Sequence, residues 1–256
     1  APEAPTTTTV VATDVRPEMP PAVPAARAPA PRPAAPSAAA PPAAVPPVQP
    51  ARAASGRADV STLNWPALRQ AVADCRACSL CRSRKQTVFG TGHPQAQWLL
   101  VGEAPGEQED EQGEPFVGAA GQLLDRMLAA LGLTRAADGP QRPEQRVYIA
   151  NTLKCRPPRN RNPGAEELAS CEPFLVRQVE LLRPRLILAL GRFAVQALLR
   201  SEEPIGKLRG RVHHYESVPV IVSYHPAYLL RSPHEKAKAW EDLCLAASVF
   251  EAGAAR

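Results

Sequence analysis

The chain alternates short apolar runs with longer stretches of helical periodicity from residue 59 onward. Runs of five to eight residues dominated by apolar side chains predict buried strands. Four such runs lie at 97–101, 146–153, 185–190 and 218–223. Apolar residues recur at near-helical spacing in 61–80, 118–131, 165–182, 191–199 and 236–250. This alternation predicts an α/β fold: a three-layer α/β/α sandwich around a central, mainly parallel four-stranded sheet.

Two unusual loops follow predicted strands. Residues 102–117 are rich in Gly, Pro and acids, and 155–163 are rich in Pro and Arg. Ligands bind outside the carboxyl ends of parallel strands, and three such ends carry polar chemistry at Glu103, Asn151 and His225. Each admits an ordinary reading, as an acidic surface loop, a strand-end cap and a loop histidine. Together they favour a site at this edge of the sheet.

Composition divides the chain into two parts. Residues 1–58 contain 15 Pro and 19 Ala but no Leu, Ile, Phe, Tyr, Trp or Cys. Such a segment cannot bury enough apolar surface to offset the entropy of ordering. We expect a disordered tail at 1–58 and one globular domain at 59–256. The tail has five Arg and three acids, so we expect it to act as a tether or a weak contact to a protein or DNA.

Several protein classes are disfavoured. The longest apolar runs are far too short to span a bilayer, and the first residues contain no continuous hydrophobic segment typical of a secretory signal. The formal net charge is +5, and six Cys are too few for a disulfide scaffold of this size. We therefore expect a cytoplasmic, nucleoid-associated monomer without a membrane partner, whose cysteines stay reduced or bind metal.

The cysteine spacing indicates a metal site. Cys75 and Cys78 form a CxxC pair, and Cys155 and Cys171 flank a basic loop. A CxxC pair brings two thiols close enough to share a metal, although the long gap to Cys155 is unlike a zinc ribbon. Ordinary buried cysteines are the alternative. We favour that alternative for Cys81 and for Cys244, which lies in an apolar helix.

Several motifs resemble the family 4 uracil-DNA glycosylases, the iron–sulfur branch of the uracil glycosylase superfamily. They run in order from residue 75 to about 250 and exclude the tail. The matching motifs are CRACSL at 75–80, VFGTGHP at 88–94, VGEAPGEQED at 101–110, GEPFVGAAGQLLD at 113–125, NTLKCRPPRNRNP at 151–163, Cys171, ILALG at 187–191, KLRGR at 207–211 and SYHPAYLLR at 223–231.

The resemblance implies that the chain flips uracil out of single- or double-stranded DNA and hydrolyses its N-glycosidic bond. It also implies a [4Fe–4S] cluster held by Cys75, Cys78, Cys155 and Cys171, with zinc as the alternative metal. The hydrolysis needs no electron, so the cluster is expected to be structural.

Three residues are expected to handle the base. Phe116 matches the side chain that stacks on uracil, and His225 matches the histidine that donates a hydrogen bond to uracil O2. Asn151 is expected to donate to O4 and to accept from N3–H. Cytosine presents the opposite pattern at both positions, and the unpaired groups cost about 1–3 kcal/mol each.

The water-positioning group is less obvious. The best-known branch of the superfamily carries an Asp two positions after Gly102, where this chain has Ala104. The nearest carboxylate, Glu103, is expected to orient water or to stabilise the sugar cation. Glu109 matches another family acid and is expected to line the pocket near uracil C5. Gly102 and Ala104 are expected to contact uracil.

DNA contacts are expected from two basic loops. The alternative interpretation of these basic residues is an ordinary solvated surface without a DNA-binding role. The candidates for phosphate binding are Arg156, Arg159, Arg161, Lys207, Arg209 and Arg211. Leu229 lies where the superfamily places a wedge that fills the gap left by the flipped base, and Arg231 is expected to support it through a phosphate.

Two other functions compete with turnover. Relatives that become covalently trapped on uracil-DNA carry a reactive His in a basic loop after the second strand, whereas 151–163 contains no His. A non-catalytic DNA- or partner-binding module is the other alternative. The presence of Glu103, Phe116, Asn151 and His225 argues against it, so the sequence favours a monofunctional glycosylase.

Overall fold

A computed structural model describes residues 59–254, and its centre is a six-stranded sheet. The predicted tail at 1–58 lies outside the described residues. The strands are β1 (Thr91–Gly92), β2 (Trp98–Gly102), β3 (Val147–Asn151), β4 (Leu186–Leu190), β5 (Val212–Tyr215) and β6 (Val218–Ser223). They stand in the order β1-β3-β2-β4-β6-β5. The four central strands are parallel, and β1 and β5 pair antiparallel at the two edges.

The α/β class is confirmed, but the count of four strands is wrong. The structure adds the two edge strands. β1 has only two residues, and β5 (VHHY) alternates between exposed and half-buried positions. Neither offers the continuous apolar run that identifies a buried strand, so hydrophobicity alone misses both.

Helices cover both faces of the sheet. They are α1 (Trp65–Ala73), α2 (Glu107–Gln112), α3 (Ala119–Ala130), α4 (Ala165–Leu182), α5 (Arg192–Leu199), α6 (Ile205–Leu208), α7 (Pro226–Arg231) and α8 (Lys236–Ala254). Side chains of α4 and α5 pack in one core with Leu99 and Val101 of β2. Side chains of α3 and α8 pack in a second core with Trp98 and Leu100 of the same strand. Alternate residues of one strand thus serve opposite layers, as the three-layer prediction requires.

The first helix is shorter than predicted. It begins at an Asn64 cap, whose Oδ1 accepts from the Ala67 amide at 3.0 Å, and it ends at Ala73 instead of continuing to residue 80. The Arg84 guanidinium donates to the carbonyl oxygens of Ala73 (3.1 Å) and Cys75 (2.8 Å). The contact with Ala73 satisfies a carbonyl group that the end of a helix leaves unpaired, and the contact with Cys75 holds the chain just beyond the C-cap, Asp74. The chain then leaves the helix, and Cys75 and Cys78 precede a short 3₁₀ helix, Ser79–Arg82, that contains Cys81.

The predicted loop at 102–117 contains a helix that periodicity did not reveal. α2 has six residues, and Asp110 is its one buried side chain. Three acids lie in its first turn, where the helix dipole favours negative charge. Gly113 ends it with φ 78°. Because almost nothing on α2 is apolar, no hydrophobic pattern marks it.

The strand register places the polar strand ends side by side. Gly102 is paired with Asn151, and Leu190 is paired with Ser223. The residues that follow these positions therefore emerge at one edge, as the sequence predicts. None of the helices within 59–254 is long and apolar enough to cross a membrane.

Candidate active site

A cavity of about 190 Å³ opens at the carboxyl edge of the sheet. Its walls come from the loop after β2, the ends of β3 and β6, and the basic loop after β3. Seven residues singled out in the sequence line it: Glu103, Ala104, Glu109, Phe116, Asn151, Arg161 and His225. Residues far apart in sequence thus share one small space.

Asn151 presents an unsatisfied acceptor to this space. The residue is 2% exposed, and its Oδ1 has no hydrogen-bond partner among the described residues. Its backbone carbonyl is fixed by the Lys154 ammonium at 2.7 Å, which also donates to Gln178 Oε1 at 2.6 Å. A buried unpaired amide oxygen is costly, and its position in a cavity indicates a ligand that supplies a donor.

Gly102 leaves the room that this arrangement needs. A Cβ on Gly102 would lie 2.4 Å from Asn151 Oδ1 and 2.7 Å from Phe116 Cζ. Any larger residue would displace one of these two side chains. Gly102 therefore shapes the cavity by its lack of a side chain.

Phe116 places an aromatic ring at the wall of the cavity. Its φ of 57° is rare for a bulky residue, and it is 5% exposed. Its ring stacks on that of His225, with centroids 5.3 Å apart and planes inclined by 28°. Both rings line the same cavity as Asn151.

Glu109 lies at the cavity, but both of its carboxylate oxygens bind backbone. Oε2 accepts from the Gly106 amide at 3.0 Å, and Oε1 accepts from the Val117 and Gly118 amides at 3.0 and 3.2 Å. Its evident role is therefore to hold the loop after β2, whereas the sequence predicts a contact near uracil C5.

His225 is held in a defined tautomer. It caps α7, and its Nδ1 accepts from the Ala227 amide at 3.2 Å. In the neutral ring the hydrogen therefore resides on Nε2. Burial, and then the positive charge of Arg231, lowers the pKa of His225 to about 4. The ring is neutral at pH 7 and offers one N–H donor.

Glu103 is a partly buried carboxylate beside two cations. Burial raises its pKa, while Arg192 and Arg231 act in the opposite direction. Sequence reasoning missed Arg192. It is the first residue of α5, directly after β4 and Gly191. Its position after a strand of the same parallel sheet was the signal that could have identified it.

Five cysteines surround a second, narrow cavity. Cys75, Cys78, Cys81, Cys155 and Cys171 line it together with apolar side chains. Cys244 lies apart from them on α8 and is exposed, so the prediction that it is buried is wrong. Its neighbours in sequence, Leu243 and Leu245, are both apolar, so the sequence pattern does not show which side of α8 faces the core.

Two of these cysteines, Cys155 and Cys171, accept hydrogen bonds at sulfur. Burial raises the pKa of Cys171 to about 12 and that of Cys155 to about 11. Arg84 Nη1 donates to Cys155 Sγ at 2.9 Å, and the Lys154 amide donates to Cys171 Sγ at 3.2 Å. In residues 59–254, no group of three or more His, Cys, Asp or Glu side chains is arranged to hold a single metal ion.

The basic loop after β3 presents three arginines in different states. Arg161 pairs with Glu167 through two hydrogen bonds of 2.9 and 2.6 Å and also lines the cavity. Arg156 contacts Glu107 at 3.3 Å. Arg159 is exposed, with φ 55°.

Not all of the positive charges of the KLRGR loop are available to a ligand. Arg209 binds the buried Asp242 (3.1 Å) and Glu241 (3.0 Å) and is only 14% exposed, so its charge is engaged within the protein. Lys207 and Arg211 are exposed. Arg211 donates to the Lys207 carbonyl.

The leucine predicted as the wedge faces the core. Leu229 is fully buried, whereas Tyr228 and Leu230 on the same helix are 36% and 42% exposed. The helical geometry of α7 explains the difference, because neighbouring positions point to different sides. Arg231, at the end of α7, is exposed, and its positive charge acts to lower the pKa of Glu103.

Comparisons with known proteins identify the family of the chain. The model of the uracil DNA glycosylase superfamily matches residues 89–244. A type-4 uracil-DNA glycosylase of Archaeoglobus fulgidus is 45% identical over 170 residues, which cover 63% of this chain and 81% of the relative. A type-4 enzyme of Pyrobaculum aerophilum is 39% identical over 186 residues, covering 70% and 90%. A type-5 uracil-DNA glycosylase of that organism is 35% identical over 146 residues, covering 54% and 64%.

Proposed function

The chain belongs to the uracil DNA glycosylase superfamily and is a DNA repair glycosylase acting on uracil, and we propose that the cavity beside Asn151 receives the flipped-out base. The observation that supports this proposal most directly is the buried Oδ1 of Asn151, which has no hydrogen-bond partner among the described residues. Uracil N3–H supplies the missing donor, and uracil O4 accepts from the amide NH₂ of the same side chain.

The ring of Phe116 supplies the stacking surface for the base. A base that leaves the duplex loses its stacking on both neighbours, and a flipped base is commonly stacked against an aromatic or apolar side chain. The ring already lies against His225, so the surface is formed before uracil enters. Gly102 keeps the space beside it open.

His225 stabilises the departing base. Cleavage of the N-glycosidic bond moves negative charge onto uracil O2, and a preorganised donor aimed at that oxygen lowers the barrier. The Nδ1 of His225 is occupied by the Ala227 amide, so Nε2–H is the group that donates. No protonated histidine is needed, which agrees with the lowered pKa of His225.

Glu103 is the carboxylate best placed to orient the attacking water or to stabilise the sugar cation. It lines the cavity, and Ala104 cannot do this work. The positive charges of Arg192 and Arg231 favour its ionised form against the effect of burial. A dissociative mechanism needs only a weak base, so one carboxylate suffices.

Cys75, Cys78, Cys155 and Cys171 are proposed to hold a [4Fe–4S] cluster. Each iron of such a cluster takes one thiolate, so four sulfurs need not converge on one point as they do around zinc. Donors already aimed at Cys155 and Cys171 suit thiolates, and the bound irons would lower the pKa values that burial raises.

DNA is proposed to lie across the edge of the cavity. Arg161 lines the cavity, Arg156 and Arg159 belong to the same loop, and Lys207 and Arg211 are exposed cations available to phosphates. Leu230 is a better candidate for the wedge than Leu229, because a wedge must project from the protein surface into the DNA. A DNA substrate also implies that the protein resides with the nucleoid.

Release of free uracil from single- and double-stranded oligonucleotides tests the assignment. Asn151→Ala is expected to lower the single-turnover rate by on the order of 10–1000-fold, because both contacts to the base edge are lost. Asn162→Ala is the matched control, since Asn162 is exposed in the neighbouring loop. Equal rates for the two variants would remove Asn151 from the site.

A further inference from the structure

The backbone of residues 115–118 is held from two sides by charged side chains. Arg135 Nη1 donates to the Pro115 carbonyl at 2.8 Å, and Nη2 donates to the Phe116 carbonyl at 3.0 Å. From the other side, Glu109 accepts from the amides of Val117 and Gly118. Four hydrogen bonds thus fix the conformation of the segment that carries the aromatic ring.

Arg135 is itself oriented. Its Nε donates to Asp125 Oδ1 at 2.7 Å, and its Nη2 lies 2.6 Å from the same oxygen. The arginine side chain is only 17% exposed. A planar guanidinium can bind one carboxylate and two carbonyl oxygens at once, whereas the compact ammonium of lysine lacks this rigid fork.

The segment is also pressed against α3. A Cβ on Gly121 would lie 1.6 Å from the Phe116 carbonyl oxygen, so the carbonyl occupies space that a side chain would need. Phe116 itself has φ 57°, and a bulky residue keeps such a conformation only where its surroundings enforce it. Arg135 binds the carbonyl of this strained residue.

We propose that Arg135 is a positioning residue for uracil release and acts through Phe116. The inference rests on the proposed function, in which Phe116 stacks on the base. Arg135 does not line the cavity, so it does not touch the base itself. Without it, Phe116 is free to relax to negative φ and its ring leaves the face of His225.

The test compares Arg135→Gln with Arg126→Gln, which removes the same charge from an exposed position of α3. Arg135→Gln is expected to lower the single-turnover rate by about 10–100-fold, because small misplacements of a binding group have effects of this size. Arg126→Gln is expected to behave like wild type. Affinity for DNA that already contains an abasic site should not change, because no base remains to be stacked.

A double-variant comparison separates positioning from general destabilisation. In a Phe116→Ala background, Arg135→Gln is expected to cause no further loss of rate, since the ring it positions is gone. An additional loss as large as that in the wild-type background would overturn the proposal. So would a wild-type rate for Arg135→Gln.

One further variant, Asp125→Asn, and the single variant Phe116→Ala keep the test decisive. If Arg135→Gln does not fold, Asp125→Asn removes the carboxylate that orients the guanidinium and is expected to give a smaller loss that also vanishes in the Phe116→Ala background. A slow Phe116→Ala with a normal Arg135→Gln refutes only the positioning role. A normal rate for Phe116→Ala refutes the proposed stacking role itself.

Discussion

At the scale of single residues, the proposed selectivity for uracil depends on one amide. Asn151 has a donor and an acceptor on the same side chain, and its backbone is fixed by the register with Gly102 and by Lys154. Its unpaired Oδ1 matches uracil N3–H, while cytosine N3 would face it with a lone pair. In this proposal, the discrimination between uracil and cytosine comes from the chemistry of the amide and from the fixed position of its strand end.

Replacing that amide by a carboxylate is expected to invert one contact. In Asn151→Asp, an ionised side chain offers acceptors only, so uracil O4 meets a repulsive oxygen and uracil release falls by on the order of 10–1000-fold. Cytosine release becomes detectable but slow. Single-turnover cleavage of uracil- and cytosine-containing strands measures both effects, and an unchanged uracil rate would contradict the proposed role.

His225 is expected to affect rate without affecting base choice. His225→Ala removes the donor to O2, an oxygen that both pyrimidines carry, so a large loss of uracil release should leave the preference for uracil over cytosine intact. The same strands and assay provide the comparison. A shift in preference would show that the histidine also reads the base edge.

The pH dependence follows from the sign of the shift. The pKa of His225 is lowered from 6.5 to about 4 by burial, so the ring stays neutral as the pH falls from 8 to 5.5. Wild-type release should show no inflection from this group near pH 6.5. The neutral ring stabilises the fold above pH 6.5, and this contribution is lost as the pH falls toward 4. Single-turnover rates and thermal midpoints across pH 4–8 measure both, with His225→Ala as the reference.

At the scale of elements, the cysteine cluster joins parts of the chain that are distant in sequence. Cys75 follows α1, Cys155 follows β3, and Cys171 lies on α4. The loop after β3, which carries Arg156 and Arg161, runs between the last two. A metal cluster held at this point would restrain the basic loop beside the cavity proposed to receive the base.

The purified protein is expected to be brown, with broad absorbance near 400 nm from thiolate-bound iron and sulfide. Cys171→Ala should lose this absorbance and fold poorly, because a buried ligand is removed. Cys244→Ala is the matched control, since Cys244 is exposed and lies outside the cysteine-lined cavity. A colourless protein with one zinc and no iron after anaerobic preparation would rule out the cluster.

At the scale of the whole molecule, every proposed site residue lies between Cys75 and Arg231. Deleting residues 1–58 is therefore expected to leave the thermal midpoint and uracil release on short oligonucleotides nearly unchanged. The removed segment has no aromatic, Leu or Ile residue with which to build a core. An insoluble or inactive truncated protein would place the domain boundary elsewhere.

The sequence by itself determined the central strands, the layered architecture and the edge at which the site lies. Short apolar runs can be satisfied only by burial, and parallel strands bring their carboxyl ends to one edge. This is why Glu103, Asn151 and His225 can be assigned to one site from the chain alone. The motifs also identified the family, because such a series of glycines and polar residues in this order along the chain is unusual.

Only the tertiary structure decided those features that depend on contacts between distant parts of the chain, such as the burial of a side chain or the pairing of a charge. Leu229 is buried because α7 packs that side inward, and Arg209 is neutralised because α8 brings Asp242 to it. The edge strands and α2 have no apolar pattern of their own. They form because of contacts with neighbouring parts of the fold, such as the pairing of β1 with β3 and of β5 with β6. Arg135 reaches Phe116 across nineteen positions of sequence, a contact that no local pattern encodes, because only the folded chain brings the guanidinium to that carbonyl.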